Sequence, residues 1–136
     1  MSNEYSRNIK DAAKQVVSAL PAANANKTTT PIDLEQVVGG QLDNVQFEIA
    51  IPATPALVEA KSITVKVYDG ATSDSLAVVD PLIQTTVTGG TGGAGAAKTV
   101  RFRLPPTARR YVALYLAVEN GGGDNTGVDV TFSALF

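Results

Sequence analysis

The sequence predicts an all-β fold, a β-sandwich or barrel, on three observations. From about residue 28 onward, short runs that alternate apolar and polar residues recur between turn residues, and long helical periodicity is absent. The last third, Leu104 to Phe136, holds two apolar β-type runs around the turn Gly121-Gly122-Gly123-Asp124-Asn125. The second of these runs to the final residue, as expected of a self-contained β domain. At 136 residues the chain suits one domain, which would bury roughly two thirds of the surface its unfolded form exposes. The expected organisation is therefore a single domain over 1–136, with 1–10 as an extended or flexible arm.

The elements follow in order. Met1 to Ser6 is a polar arm with two bulky anchors, Tyr5 and Ile9. Ile9, Ala12, Ala13, Val16, Val17 and Leu20 follow helical spacing, while Gln15 to Leu20 fits a short strand equally well, and Pro21 ends either one. Residues 22 to 27 read as a loop, and Thr28 to Leu34 as a strand. Val45, Phe47, Ile49 and Ile51 alternate with Gln46, Glu48 and Ala50 up to Pro52. Ile63, Val65 and Val67 form the next strand, with Asp69-Gly70 as its expected turn. Ile83, Thr85 and Val87 form a weaker run that dissolves into the glycine-rich stretch 89 to 97, read as a flexible surface loop suited to docking. Val100, Phe102 and Leu104 then face inward with Arg101 and Arg103 outward, until Pro105-Pro106 stops the ladder. The run from Arg110 to Val118 is apolar on both faces and predicts a strand covered from both sides. The last run places Val128, Val130, Phe132, Ala134 and Phe136 on one face. That makes about seven strands, besides the ambiguous N-terminal segment.

Composition excludes several chemistries. Cys, His and Trp are absent, so disulfides, thiolate or imidazole metal sites, Cys nucleophiles and Ser-His-Asp hydrolysis are impossible within this chain. The net charge of −2 lacks the positive excess of a nucleic-acid footprint, so no nucleic acid is expected as partner. The beginning is polar and charged, unlike a signal peptide. No apolar run approaches the roughly 18 residues needed to span a bilayer. The expectation is a soluble protein that stays where it is made, without a membrane partner.

Motifs that suggest chemistry fail on context. Gly90, Gly92 and Gly95 fit G-x-G-x-x-G, but the dinucleotide fingerprint needs a helix next, and Lys98 to Leu104 reads as a strand. The same absence defeats a P-loop at Lys98-Thr99, where Ala97 also replaces the required glycine. Asp69, Ser73 and Asp74, and again Asp124, Asn125 and Asp129, offer oxygen ligands without a defined calcium spacing. They read as turn residues, and no metal or cofactor is expected. Glu48, Glu59 and Glu119 have no spacing that pairs two carboxylates. Tyr68, Tyr111 and Tyr115 fit a sugar-stacking platform or ordinary strand packing.

Three segments carry a family resemblance: Asp11-Ala12-Ala13-Lys14-Gln15-Val16-Val17-Ser18, then Thr30-Pro31-Ile32-Asp33-Leu34, then Arg110-Tyr111-Val112-Ala113-Leu114-Tyr115, with one more apolar strand after it. In these the chain resembles the small jelly-roll cement, or decoration, proteins of tailed bacteriophages. The resemblance implies a jelly-roll β-sandwich of about eight strands with the N-terminal segment as a strand, and no catalysis. It implies a structural protein on the virion surface, made in the host cytoplasm. Its partners would be the major capsid protein and further copies of itself, as homodimer or homotrimer. The alternative is a carbohydrate-binding β-sandwich module. By position, the expected contact residues are Tyr5, Arg7 and Ile9 in the arm, Gly92 and Gly93 in the loop, and Arg109 and Arg110.

Overall fold

A computed structural model describes residues 10–34, 46–104 and 108–135 of the chain. Ten strands occur among them: β1 (Lys10–Ala19), β2 (Ala25–Thr28), β3 (Ile32–Asp33), β4 (Gln46–Ile51), β5 (Ser62–Thr72), β6 (Ser75–Val78), β7 (Gln84–Thr88), β8 (Lys98–Arg103), β9 (Tyr111–Val118) and β10 (Asp129–Leu135). One sheet runs β1-β10-β4-β8. In the other, β9 pairs with β5, while β2 and β3 share the outer side of β9, and β6 and β7 share the outer side of β5. The ten segments thus fill eight strand positions, four in each sheet, and all named pairs are antiparallel. Numbered along the chain, these positions read 1-8-3-6 in one sheet and 2-7-4-5 in the other. That interleaving is the double Greek key of a jelly roll.

The alternation read from the sequence places the core between the sheets. Phe47, Ile49 and Ile51 of β4 and Val130, Phe132 and Ala134 of β10 face Ile63, Val65 and Val67 of β5 and Val112, Leu114, Leu116 and Val118 of β9. Phe47, Phe102 and Phe132 stack at centroid distances of 5.5 to 6.2 Å. Leu20, Leu57 and Leu104 belong to the same core.

The N-terminal segment, left open between helix and strand by its spacing and implied to be a strand by the resemblance, is a strand: it pairs with β10, whose backbone groups would otherwise form an open sheet edge. Several other expectations are corrected. The pairing of β1 begins at Lys10, inside the expected arm. Residues Ala25 to Lys27 are not loop but most of β2, paired with the outer side of β9. The expected strand from Thr28 to Leu34 is broken between β2 and β3, where Pro31 supplies no N–H. At that break Thr29 spans the gap: its N–H donates to Leu114 O at 2.9 Å, and its Oγ1 accepts from Leu114 N–H at 3.0 Å. Asp69-Gly70 is not a turn. The strand continues to Thr72, and the reversal falls at Ser73-Asp74. Gly70 is needed for proximity, since a Cβ there would overlap the Ser75 carbonyl oxygen.

The stretch 89 to 97 is tightly held. Gly89 N–H donates to Lys61 O and Ala60 N–H to Gly89 O, Ala94 N–H reaches Leu57 O at 2.7 Å, and Gly95 and Thr54 bond reciprocally at 2.9 Å. The Glu59 carboxylate accepts the Gly92 N–H at 2.8 Å. Val58 N–H donates to Gly122 O, which ties the β9–β10 connection to the same end of the sandwich. The reading of a flexible loop is therefore replaced by a clamped one. No helix occurs among the described residues, so none is long and apolar enough to cross a membrane.

Candidate functional site

β9 sends Val112, Leu114, Leu116 and Val118 into the core and Tyr111, Ala113, Tyr115 and Ala117 to the opposite face. Both faces were expected to be covered; among the described residues no further strand lies over the outer one. What shields it is lateral. Register places Tyr68 of β5 opposite Ala113 and Lys66 opposite Tyr115, so Tyr68 and Tyr115 are diagonal neighbours. Their rings stack at 5.2 Å with an interplanar angle of 6°. The result leaves Ala113 wholly buried although it points away from the core, while both tyrosines stay half-buried. The Lys66 ammonium lies 5.9 Å from the Tyr115 ring centroid, and the Arg110 guanidinium 5.2 Å from that of Tyr111.

Beside Tyr68 the outer face is cut by a groove of about 330 Å³. One wall is the break between β2 and β3, with Thr28 and Pro31; the other is the β5–β6 hairpin, with Ser73, Asp74 and Leu76. Thr29, also at the wall, spends its hydroxyl oxygen on Leu114 N–H. Asp74 has no ion pair or hydrogen bond among the described residues.

Two arginines at the same end of the sandwich are paired. Arg109 donates through its guanidinium to Asp69 Oδ1 at 3.0 Å and through its backbone N–H to Oδ2 at 2.8 Å. The Asp69 side chain is 6% exposed against 48% for Arg109. Hydrogen bonding to Asp69, then its charge, raises the Arg109 pKa. Arg110 binds Asp33 with two bonds, 2.7 and 2.9 Å, joining β3 to the start of β9. Both arginines, expected as contact residues, thus first hold strands of this sheet together. On the other sheet Arg101 bonds Glu48 at 3.0 Å.

Of the remaining expected contacts, Gly92 and Gly93 sit at the clamped end, far along the strands from Arg109 and Arg110, so the structure does not gather the set into one site. Gly92 is exposed, with nothing within 4 Å of an added Cβ. Tyr5, Arg7 and Ile9 lie outside the described residues. Of the three glutamates, Glu48 is on the other sheet, Glu59 accepts from Gly92 N–H, and Glu119 binds Ser62 and Lys61. Asp124 accepts from the Thr126 hydroxyl and backbone N–H, which lower its pKa in that order. Asp69 is likewise withdrawn from Ser73 and Asp74 by its bond to Arg109. No group of three His, Cys, Asp or Glu side chains converges among the described residues.

No protein-family model and no curated protein matches this chain. Among solved structures, the PBSX exported protein XepA is similar, with TM-score 0.54 and 12% identity, over 93% of this chain and 36% of that one. The MgGH51 α-L-arabinofuranosidase matches at TM-score 0.44 and 12% identity, over 87% of this chain and 18% of that one. The family 16 carbohydrate binding module-2 matches at TM-score 0.34 and 12% identity, over 88% of this chain and 82% of that one. The chain therefore spans about a third of the XepA chain. Only the first likeness is close enough to bear on the fold, and at this identity it speaks for the sandwich alone.

Proposed function

We propose that this chain is a non-enzymatic structural protein that binds the outer surface of a phage capsid and stabilises it by bridging capsomers. The observation that carries the reading is where the three resembling segments fall. Asp11–Ser18 lies in β1, Thr30–Leu34 spans β3, and Arg110–Tyr115 opens β9, at the first, second and seventh positions of the jelly roll. The clamped loop supports it too, since a preordered docking element loses little entropy on binding. Weak contacts repeated over many symmetric sites add up by avidity. The partners proposed are the major capsid protein and further copies of this chain, as homodimer or homotrimer, on the virion surface.

The test is titration of the purified chain into expanded heads that lack it. Saturable binding with greater resistance to heat is expected, and no binding overturns the proposal. Deleting residues 1–8 should leave the unfolding midpoint intact and weaken attachment. A second reading, a carbohydrate-binding module, is favoured by the parallel Tyr68–Tyr115 stack beside a groove.

A further inference from the structure

We infer that the groove between Tyr68 and the β5–β6 hairpin is a subsite for the end of a neutral saccharide. The inference rests on the second reading above and assigns its place and its ligand class. A pyranose presents a C–H face that packs on an aromatic ring and a rim of hydroxyls that need hydrogen-bond partners. The groove offers both. Tyr68 lines the groove between its two walls and is stacked on Tyr115, so the ring is preorganised rather than ordered on binding. Pro31 and Leu76 add apolar surface. Around them stand the hydroxyls of Thr28 and Ser73 and the Asp74 carboxylate, none of which has a hydrogen bond or ion pair among the described residues.

Size and charge narrow the ligand. A groove of about 330 Å³ lies at the small end of sites for organic ligands, which suits the end of a chain. Asp74 is the one formal charge among the lining residues. An anionic sugar or a phosphate would be placed against it, so uronic and sialic acids are disfavoured and neutral pyranosides favoured. Lys66 does not offset this, because it sits over Tyr115 and is not among the lining residues.

The experiment follows ring resonances of the full chain by NMR while cellotriose, maltotriose, mannotriose, trigalacturonic acid and sialyllactose are added to about 10 mM, enough to register millimolar affinity. The expected result is that a neutral trisaccharide shifts Tyr68 and Tyr115. Tyr68→Ala and, separately, Asp74→Ala should each weaken binding about tenfold, the loss of one stacking or one charge-assisted contact. Tyr111→Ala should leave binding unchanged. Asp74→Ala alters an exposed hairpin tip, so it stays informative if Tyr68→Ala fails to fold. A neutral sugar whose affinity survives both variants overturns the groove assignment and leaves the carbohydrate reading standing. A panel without any binding overturns both. Equal affinity for the acidic sugars overturns the ligand class. Loss of head attachment in Tyr68→Ala, with no sugar bound by the unaltered chain, marks the face as a protein interface and likewise overturns the inference.

Discussion

Replacing Phe132 by Ala tests the sandwich where its two sheets meet. Phe132 is wholly buried, with its ring 5.5 Å from Phe47 and 6.2 Å from Phe102. An aromatic side chain buries on the order of 150–250 Å². At about 25 cal/mol per Å² this is roughly 4–6 kcal/mol, part of which alanine retains. Because close-packed neighbours refill the space only partly, the expected loss is about 3–5 kcal/mol. Unfolding entropy of about 2.1 cal/mol/K per residue gives about 0.29 kcal/mol/K for 136 residues. The midpoint should therefore fall by about 10–17 °C, measured by calorimetry and checked by urea unfolding. A loss under about 1 kcal/mol would refute the reasoning, since that is the size of an ordinary substitution. It would mean that β10 is slipped by one residue against β4, with Ser133 turned inward in place of Phe132.

Three further outcomes follow from named contacts. Ser133 is buried with no partner for its Oγ among the described residues, so Ser133→Ala should be neutral or stabilising by up to about 1 kcal/mol in urea unfolding. A Cβ at Gly95 would overlap Thr54 Oγ1 and come within 2.7 Å of Val87 Cγ1, so Gly95→Ala should cost about 1–3 kcal/mol and speed amide exchange in residues 89–97. Thr126 stabilises the charged form of Asp124, so the titration midpoint of this carboxyl should lie below the ordinary 3.8. The associated stability is present above that value and is lost as pH falls through the lowered pKa. Thr126→Val should move the midpoint part of the way back in an NMR titration, because the backbone bond remains.

How far the sequence exposes this architecture depends on whether an element is set by its own pattern. β4, β5, β8 and β10 mostly alternate, so Phe47, Ile63, Phe102 and Phe132 could be assigned to the inner face without any knowledge of their partners. β1 could not, because Ile9 to Leu20 satisfies two periodicities and the decision belongs to the edge of β10. Asp69-Gly70 has turn chemistry, yet Asp69 is drawn to Arg109, 40 residues on. Glycine content said nothing about mobility in residues 89–97, where backbone bonds to 54–61 are what clamp the loop. The tyrosine face was half legible: the candidate residues Tyr68, Tyr111 and Tyr115 stand out in the sequence, but the pairing of Tyr68 with Tyr115 is a matter of register. The groove walls at Thr28 and Pro31 and at Ser73 and Asp74 come together across β9 and β5, and no local pattern announces it.

Attachment to the outside of a phage head is tested most directly by an electron cryo-microscopy reconstruction of heads saturated with the purified chain. The expected map shows jelly-roll density at a regularly repeated position, lying across the boundary between neighbouring capsomers. A bare outer surface at saturating protein would contradict the capsid role.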